Sequence, residues 1–344
     1  MSKKNSNVEN LKKLFENNLR FSNTYKIFKK NLEPIKKKNF IVAVSGGADS
    51  LALAAICKKY ELVEKKINFL YVLIDHKIRK ISTQEAFEVK KLLKKKNITL
   101  TIITNKEKIS QNFQSQARKI RYKLLSDFSK KKNISNILTA HHSDDQIETF
   151  LIRLSRGSGV QGLSSMRIYT NLEKLKLIRP LLDVKKLDLK YIANKVFGKI
   201  FQDPSNKNSK YLRTRVRSLK KVLEKSGVKH DQILKSIKNL ASTSETLNIY
   251  IEKITKKNIE IKKNEILINF KNILLESEEI QLKIISNQIK NLSKSYYPPR
   301  SIKVKNLIQN LQSGKQKKFT LSKCTIEKVK NYLLVKKEQK IIKK

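Results

Sequence analysis

Five consecutive apolar residues, Phe40 to Val44, run directly into Ser45-Gly46-Gly47-Ala48-Asp49-Ser50 and then into LALAAICKKYELVEKK. An apolar run that short, ended by a turn signal, is a strand buried on both faces, and the alanine- and leucine-rich stretch behind it is a helix. The glycine pair lets backbone amides at the helix start approach an anion, while Ser45 and Ser50 add hydroxyl groups. Asp49 can hold Mg²⁺ against a phosphate seated there. The loop lacks the Lys-Ser/Thr ending of the common nucleotide P-loop, so a Walker-type site is not supported. A plain strand-to-helix turn capped by Ser or Asp is the simpler account of the same residues.

The pattern repeats. Strands are expected at 68–76, 98–104 and 136–142, and helices at 82–97, at about 110–131 and from Ser143 onward. Alternating buried strands and helices predict an α/β fold, a parallel, doubly wound, Rossmann-like sheet covered on both faces. Ligands of such sheets bind beyond the carboxyl ends of the strands. The six-residue loop, Asp75-His76 and His141-His142 all belong to that edge. After about residue 183 the chain reads as mostly helical until Tyr296-Tyr297-Pro298-Pro299-Arg300. The expected organisation is a catalytic domain over 1–217, a helical domain over 218–295 and a small basic element over 296–344. Phe319, Leu321, Leu333 and Val335 give the last of these a β pattern. No internal repeat is evident.

Charge narrows the partners. The 344 residues carry a formal net charge of +48, which excludes most roles that need a neutral surface and points to a polyanion. A coding bias that writes lysine everywhere is the plainer source of that excess. Arginine escapes this objection, because nine of the twelve lie between 118 and 217. A planar guanidinium grips phosphate or carboxylate with two parallel hydrogen bonds, as an ammonium cannot. Cys57 and Cys324 form no metal-binding or redox spacing, as expected of a reducing compartment. The opening MSKKNSNVEN has no signal-peptide core and no run of 18 apolar residues occurs, so a cytoplasmic chain without membrane contact is expected.

Within SDDQIETFLIRL (143–154), Ser143 and Gln146 have capping-box spacing, and Ile147, Phe150, Leu151 and Leu154 form an apolar stripe. Asp145 and Glu148 then fall on the opposite face at i, i+3, a carboxylate pair suited to an amine or Mg²⁺. Favourable placement of acids at a helix start accounts for Asp144 and Asp145 but less well for Glu148. On the preceding helix, Phe113, Ala117, Ile120, Leu124 and Phe128 are expected to be buried, which sets Arg118 and Arg121 on one flank as a possible phosphate clamp. The loop RGSGVQGLSSM brings Arg156. The run after DPSN (203–206) brings Arg213, Arg215 and Arg217, and both segments suit a nucleic-acid backbone or a solvated surface.

Together, SGGADS, DHKIR, ARKIRY, TAHHSDDQIET, RGSGVQGL, IRPLL and DPSN with YLRTRVR resemble the tRNA(Ile)-lysidine synthetases among the PP-loop ATP pyrophosphatases. The resemblance covers roughly residues 38–217, and more weakly LSKCTIEKVKNYLLVKKE (321–338). It implies that ATP adenylates the wobble cytidine of a CAU-anticodon tRNA(Ile) at its C2 oxygen, releasing pyrophosphate. The side-chain amine of free L-lysine then displaces AMP. By the same resemblance Ser45, Gly46, Gly47, Ala48, Asp49 and Ser50 bind ATP, and Asp49 holds Mg²⁺. Arg118, Arg121 and His141 stabilise the adenylated intermediate, Asp145 and Glu148 take the lysine, and Arg156, Arg213, Arg215 and Arg217 contact tRNA. Adenylation builds charge at phosphorus, where fixed cations act, whereas an incoming cationic amine needs carboxylates. The region after 217 is shorter and more lysine-rich than the arms some relatives carry, which bears on how tRNA is read.

Two alternatives compete. A PP-loop thiolase would use paired cysteines or an iron-sulfur cluster, whereas Cys57 lies in an apolar helical run. A basic RNA-binding protein with a relic loop fits the charge equally well but leaves the intact motifs unused. Monomeric and homodimeric states are both compatible with the sequence.

Overall fold

A computed structural model describes residues 11–79, 81–107, 109, 113–172, 175–201, 211–295 and 298–338. The DPSN segment and Tyr296-Tyr297 lie outside these, as does the side chain of Phe113. The chain packs as two units, Met1–Ala241 and Ser242–Lys344.

The first unit opens with α1 (Leu19–Leu32), β1 (Asn39–Val44), α2 (Ala48–Val63), β2 (Asn68–Asp75), α3 (Ser82–Lys94) and β3 (Leu100–Thr104). It continues with α4 (Phe113–Lys132), β4 (Asn136–Leu138), α5 (Ser143–Leu154) and α6 (Val160–Leu163). Then come β5 (Tyr169–Leu172), β6 (Leu175–Ile178), α7 (Lys186–Phe197), α8 (Leu212–Lys225) and the start of α9 (His230–Asn258). The strands form one sheet in the order β3-β2-β1-β4-β6-β5. All neighbours are parallel except β5, which pairs antiparallel with β6.

Two-residue alternation explains why the sheet needs cover on both sides. Phe40, Val42 and Val44 join a core with Phe21 and Phe28 of α1, Leu51 and Ile56 of α2, Val89 of α3 and Ile192 of α7. Ile41 points the other way, into a second core with Val72, Ile137, Leu177 and Leu125 of α4. The buried stripe of α4 runs through Ala117, Ile120 and Leu125, while Leu124 and Phe128 are only half-buried. The stretch 136–142, expected as one strand, leaves the sheet after Leu138. The β5–β6 hairpin and α1 are additions to the expected elements.

The strand order matters for function. From β1 the chain moves outward through β2 and β3, then returns to place β4 on the other side of β1. The loops after β1 and β4 therefore diverge and leave a crevice at the carboxyl ends of the strands, where open α/β sheets bind ligands. SGGADS follows β1 and AHHSDD follows β4.

In the second unit, β7 (Ile259–Ile261), β8 (Glu265–Asn269), α10 (Phe270–Ile273), α11 (Glu278–Ser293) and α12 (Ser301–Gln312) precede β9 (Lys318–Leu321), β10 (Cys324–Val329) and β11 (Tyr332–Lys337). The strands form an antiparallel sheet in the order β7-β8-β11-β10-β9. Its core joins Ile266 and Ile268 to Ile284, Leu307, Ile326 and Val335. The basic β element is thus present, and it shares its sheet with two strands from a stretch expected to be helical. Position 217 lies inside α8, and residues on both sides of 295 meet in this sheet. No helix among the described residues is long and apolar enough to cross a membrane.

Candidate active site

Gly46 turns the chain out of β1 with φ +85°, and a Cβ there would stand 2.6 Å from Val89 Cγ2. Both facts demand glycine. The loop is closed by short bonds: the Ser45 amide donates to Ser50 Oγ (3.0 Å), and the Ser50 hydroxyl donates to the Gly47 carbonyl (3.0 Å). The Phe201 amide donates to the Gly46 carbonyl. No side chain caps α2, whose first turn carries Asp49, so the helix start is open to an anionic ligand. One oxygen of Asp49, Oδ1, is buried without a hydrogen-bond partner. A carboxylate oxygen left so beside an anion cradle fits a hard divalent cation such as Mg²⁺.

The other oxygen of Asp49 faces the loop after β4. His142 Nε2 lies 3.5 Å from Asp49 Oδ2 and 3.5 Å from Asp145 Oδ2, with its ring 2% exposed. His142 also starts α5: its Nδ1 accepts from the Asp145 amide (3.4 Å), and its own amide donates to Asp145 Oδ2 (3.2 Å). This reciprocal cap displaces the expected Ser143–Gln146 box by one residue. Gln146 serves elsewhere, its side chain bonding both the amide (2.7 Å) and the carbonyl (2.9 Å) of Met166. Burial opposes a charge on His142, but the hydrogen bond to Asp49 and the charges of Asp145 and Asp144 outweigh it and raise its pKa.

His141 behaves in the opposite way. Burial, reinforced by the charges of Arg179, Arg118 and Arg213, pushes its imidazole down to about 3 against the pull of Asp145. Its Nδ1 lies 2.8 Å from Thr139 Oγ1. Arg118, exposed on α4, stands with its guanidinium carbon 5.0 Å from the centre of the Tyr122 ring. Across the crevice, His76 is pushed down to about 4 by burial and by the charge of Arg121, and neither of its ring nitrogens has a hydrogen-bond partner. Asp75 beside it accepts from Thr83 Oγ1 (2.6 Å), Ser82 Oγ (2.8 Å) and the Lys77 amide (3.0 Å). Burial raises its carboxyl, but these bonds bring it below the ordinary value.

Asp145 and Glu148 do not lie on a solvated face. α8 covers them, and Glu148 is 5% exposed. Arg213 Nε donates to Glu148 Oε2 at 2.8 Å, and Arg217 donates to both oxygens, Nε at 2.6 Å and Nη2 at 3.1 Å. Arg213 Nη2 lies 3.5 Å from Asp145 Oδ1. Lys220 binds Asp144 at 2.7 Å. Burial would raise the Asp145 carboxyl, yet the charges of His142 and Arg213 hold it below the usual range.

The expected site residues thus sort by contact. Asp49, Asp145, Glu148, Arg213 and Arg217 form one connected cluster, with His141 and Arg118 in its field. Arg121 belongs to the His76 side. Arg156 and Arg215 are exposed, the latter because i+2 on a helix turns away from the face that Arg213 and Arg217 share. His142, at the centre, was expected at this edge but without a role. Its sequence signal was an acid three residues on, masked because Ser143 is the commoner cap. Arg179 was missed too: from a buried position it donates to the Arg167 carbonyl (2.7 Å) and Thr170 Oγ1 (2.8 Å).

A model of the PP-loop domain matches residues 19–224. The chain is 33% identical over 307 residues to a tRNA(Ile)-lysidine synthase of Wolbachia pipientis wMel, covering 87% of this chain and 71% of that one. A protein of the same name from Orientia tsutsugamushi (strain Boryong) is 44% identical over 184 residues, 52% of this chain and 41% of that one. Among solved structures, the U34-tRNA thiolase NcsA from Methanococcus maripaludis with its [4Fe-4S] cluster superposes with a TM-score of 0.54 at 19% identity. That match covers 65% of this chain and 79% of the thiolase, a likeness of fold.

Proposed function

The chain belongs to the tRNA(Ile)-lysidine synthase family of PP-loop proteins, and on that premise we propose that it uses ATP to join free L-lysine to C2 of the wobble cytidine in CAU-anticodon tRNA(Ile). The observation that carries this reading is His142, whose one ring nitrogen lies 3.5 Å from both Asp49 and Asp145. It ties the phosphate loop after β1 to the carboxylates after β4, as a reaction that first activates with ATP and then admits an amine requires.

The loop from Ser45 to Ser50 receives the pyrophosphate end of ATP on the open start of α2. Mg²⁺ held by Asp49 would offset the charge of the departing pyrophosphate. Arg118, in the field of His141, and Arg121, in that of His76, would supply the fixed positive charge for the transferred phosphorus, which stabilises the transition state more than the ground state. His141, whose pKa burial and the neighbouring arginine charges hold down, would act on the intermediate through hydrogen bonds from a neutral ring. Asp145 and Glu148 orient the lysine ammonium, and Asp144, tied to Lys220 and to the Lys186 amide, anchors the start of α5. The exposed Arg156 and Arg215 are available to the RNA backbone, and the lysine-rich second unit adds charge for it.

The thiolase alternative loses ground because Cys57 and Cys324 are both buried core thiols, and burial raises the pKa of each. The test is AMP release from radiolabelled ATP with lysine and a CAU-anticodon transcript, beside a transcript carrying U at the wobble position. Release that needs both lysine and the wobble C is expected. No release from folded protein with either transcript sinks the proposal.

A further inference from the structure

Glu148 is almost fully enclosed, its side chain 6% exposed, yet both of its oxygens are taken by guanidinium groups of α8. Arg213 also reaches Asp145. Two carboxylates and two guanidiniums make a charge-balanced group. An added ammonium would place a third cation among carboxylates whose charge is already matched, which is unfavourable. Lysine can bind Asp145 and Glu148 only if an arginine leaves.

The arginines are built to leave. Their side chains are 40% and 35% exposed, against 16% and 6% for the acids they cover. Arg217 is held first by Glu148, and the charges of Asp145 and, beyond it, Asp49 act on it as well. The forked donors that match a carboxylate match a phosphate equally well.

We propose that Arg213 and Arg217 plug the amine site, and that phosphate oxygens bound beside Asp49 draw them off Glu148 and Asp145, so that lysine enters only after phosphate. This rests on the assignment of Asp145 and Glu148 to lysine made above. It makes the two arginines positioning residues that set the order of binding: the amine is admitted once its electrophile is in preparation. Two phosphate sources share the chemistry, the nucleotide and the RNA backbone. Linkage requires that whichever acts strengthens lysine binding and is itself bound more tightly when lysine is present.

The experiment is equilibrium dialysis of radiolabelled lysine against the full chain in four arms: protein alone, with Mg²⁺ and a non-hydrolysable ATP analogue, with CAU-anticodon tRNA, and with both. Lysine affinity is expected to rise at least tenfold with phosphate, and the arm in which the rise occurs identifies the source. Arg213→Gln should bind lysine more tightly than wild type in the protein-alone arm and show less gain from phosphate. Arg213→Lys, which keeps the charge but loses the fork, should fall between them. Should either variant fail to fold, the wild-type arms decide alone. Lysine binding indifferent to both phosphates overturns the plug, as does an Arg213→Gln chain that binds lysine more weakly with its phosphate gain unchanged. In both cases AMP release by wild type stays intact. Absence of lysine binding in every arm together with absence of AMP release overturns the lysidine assignment itself.

Discussion

At Gly46 the backbone and the neighbouring side chain impose separate demands, and they can be told apart. Gly46→Ala is expected to lower stability by roughly 2–4 kcal/mol, about half from the left-handed φ and the rest from overlap with Val89. Urea unfolding measures the loss, and adding Val89→Ala should recover the steric share only, as a favourable coupling in the double-mutant cycle. Histidines provide a second test at this scale. His141 and His76 have folded pKa values of about 3 and about 4, below an unfolded value near 6.5. Between those limits the unfolded chain binds more protons, so both residues contribute stability above pH 6.5 that is lost as pH falls toward 4. His142, raised by its carboxylates, contributes with the opposite sign, stabilising at low pH and losing that effect as pH rises through its folded pKa. Urea midpoints should therefore fall less steeply from pH 6.5 to pH 4.5 in His76→Gln than in wild type. An equal slope would show that His76 is not held neutral by its surroundings.

Among elements, α5 carries the most consequence per residue, since one set of its side chains, Asp145 and Glu148, builds the site and another, Gln146 and Arg153, holds the following loop. The clamp from Gln146 to Met166, with Arg153 donating to the Gly162 and Ser165 carbonyls, ties residues 162–166 to the helix. Gln146→Ala is expected to cost about 1–3 kcal/mol through two lost bonds and the backbone groups left unpaired. It should also speed proteolysis within 155–166, whereas cleavage unchanged from wild type would show that the clamp does not order this loop. The same helix marks how far the sequence could be read. Strand, loop and helix around SGGADS were legible because an unbroken apolar run has one solution, a buried strand. Arg213, Arg215 and Arg217 were read as one run, although only the first and last, at i, i+4, share a face. That this face lies on Glu148 was not legible, because it depends on how α8 packs on α5. Ile259 to Asn269 escaped for a local reason: with no glycine or proline between α9 and β7, the periodicity offered no break.

For the whole molecule, the net charge of +48 makes a quantitative demand on RNA binding. If 6–10 phosphates are contacted, the affinity for tRNA should fall about 10³- to 10⁵-fold between 50 and 200 mM salt. A filter-binding slope much shallower than this would mean that most of the lysines never approach the RNA. Composition gave that much, but it did not show that the second unit builds its own sheet and core around Ile268, Ile284 and Val335, since those strands come from two segments far apart in sequence. The first unit's strand order has a consequence of another kind. On the proposed reading the β1 loop would spend ATP and α5 would choose the acceptor, and these two parts meet at the seam of the sheet without sharing a loop. Over evolutionary time such a scaffold can adopt a new acceptor by rewriting α5 and its cover while the energy-coupling half is inherited unchanged.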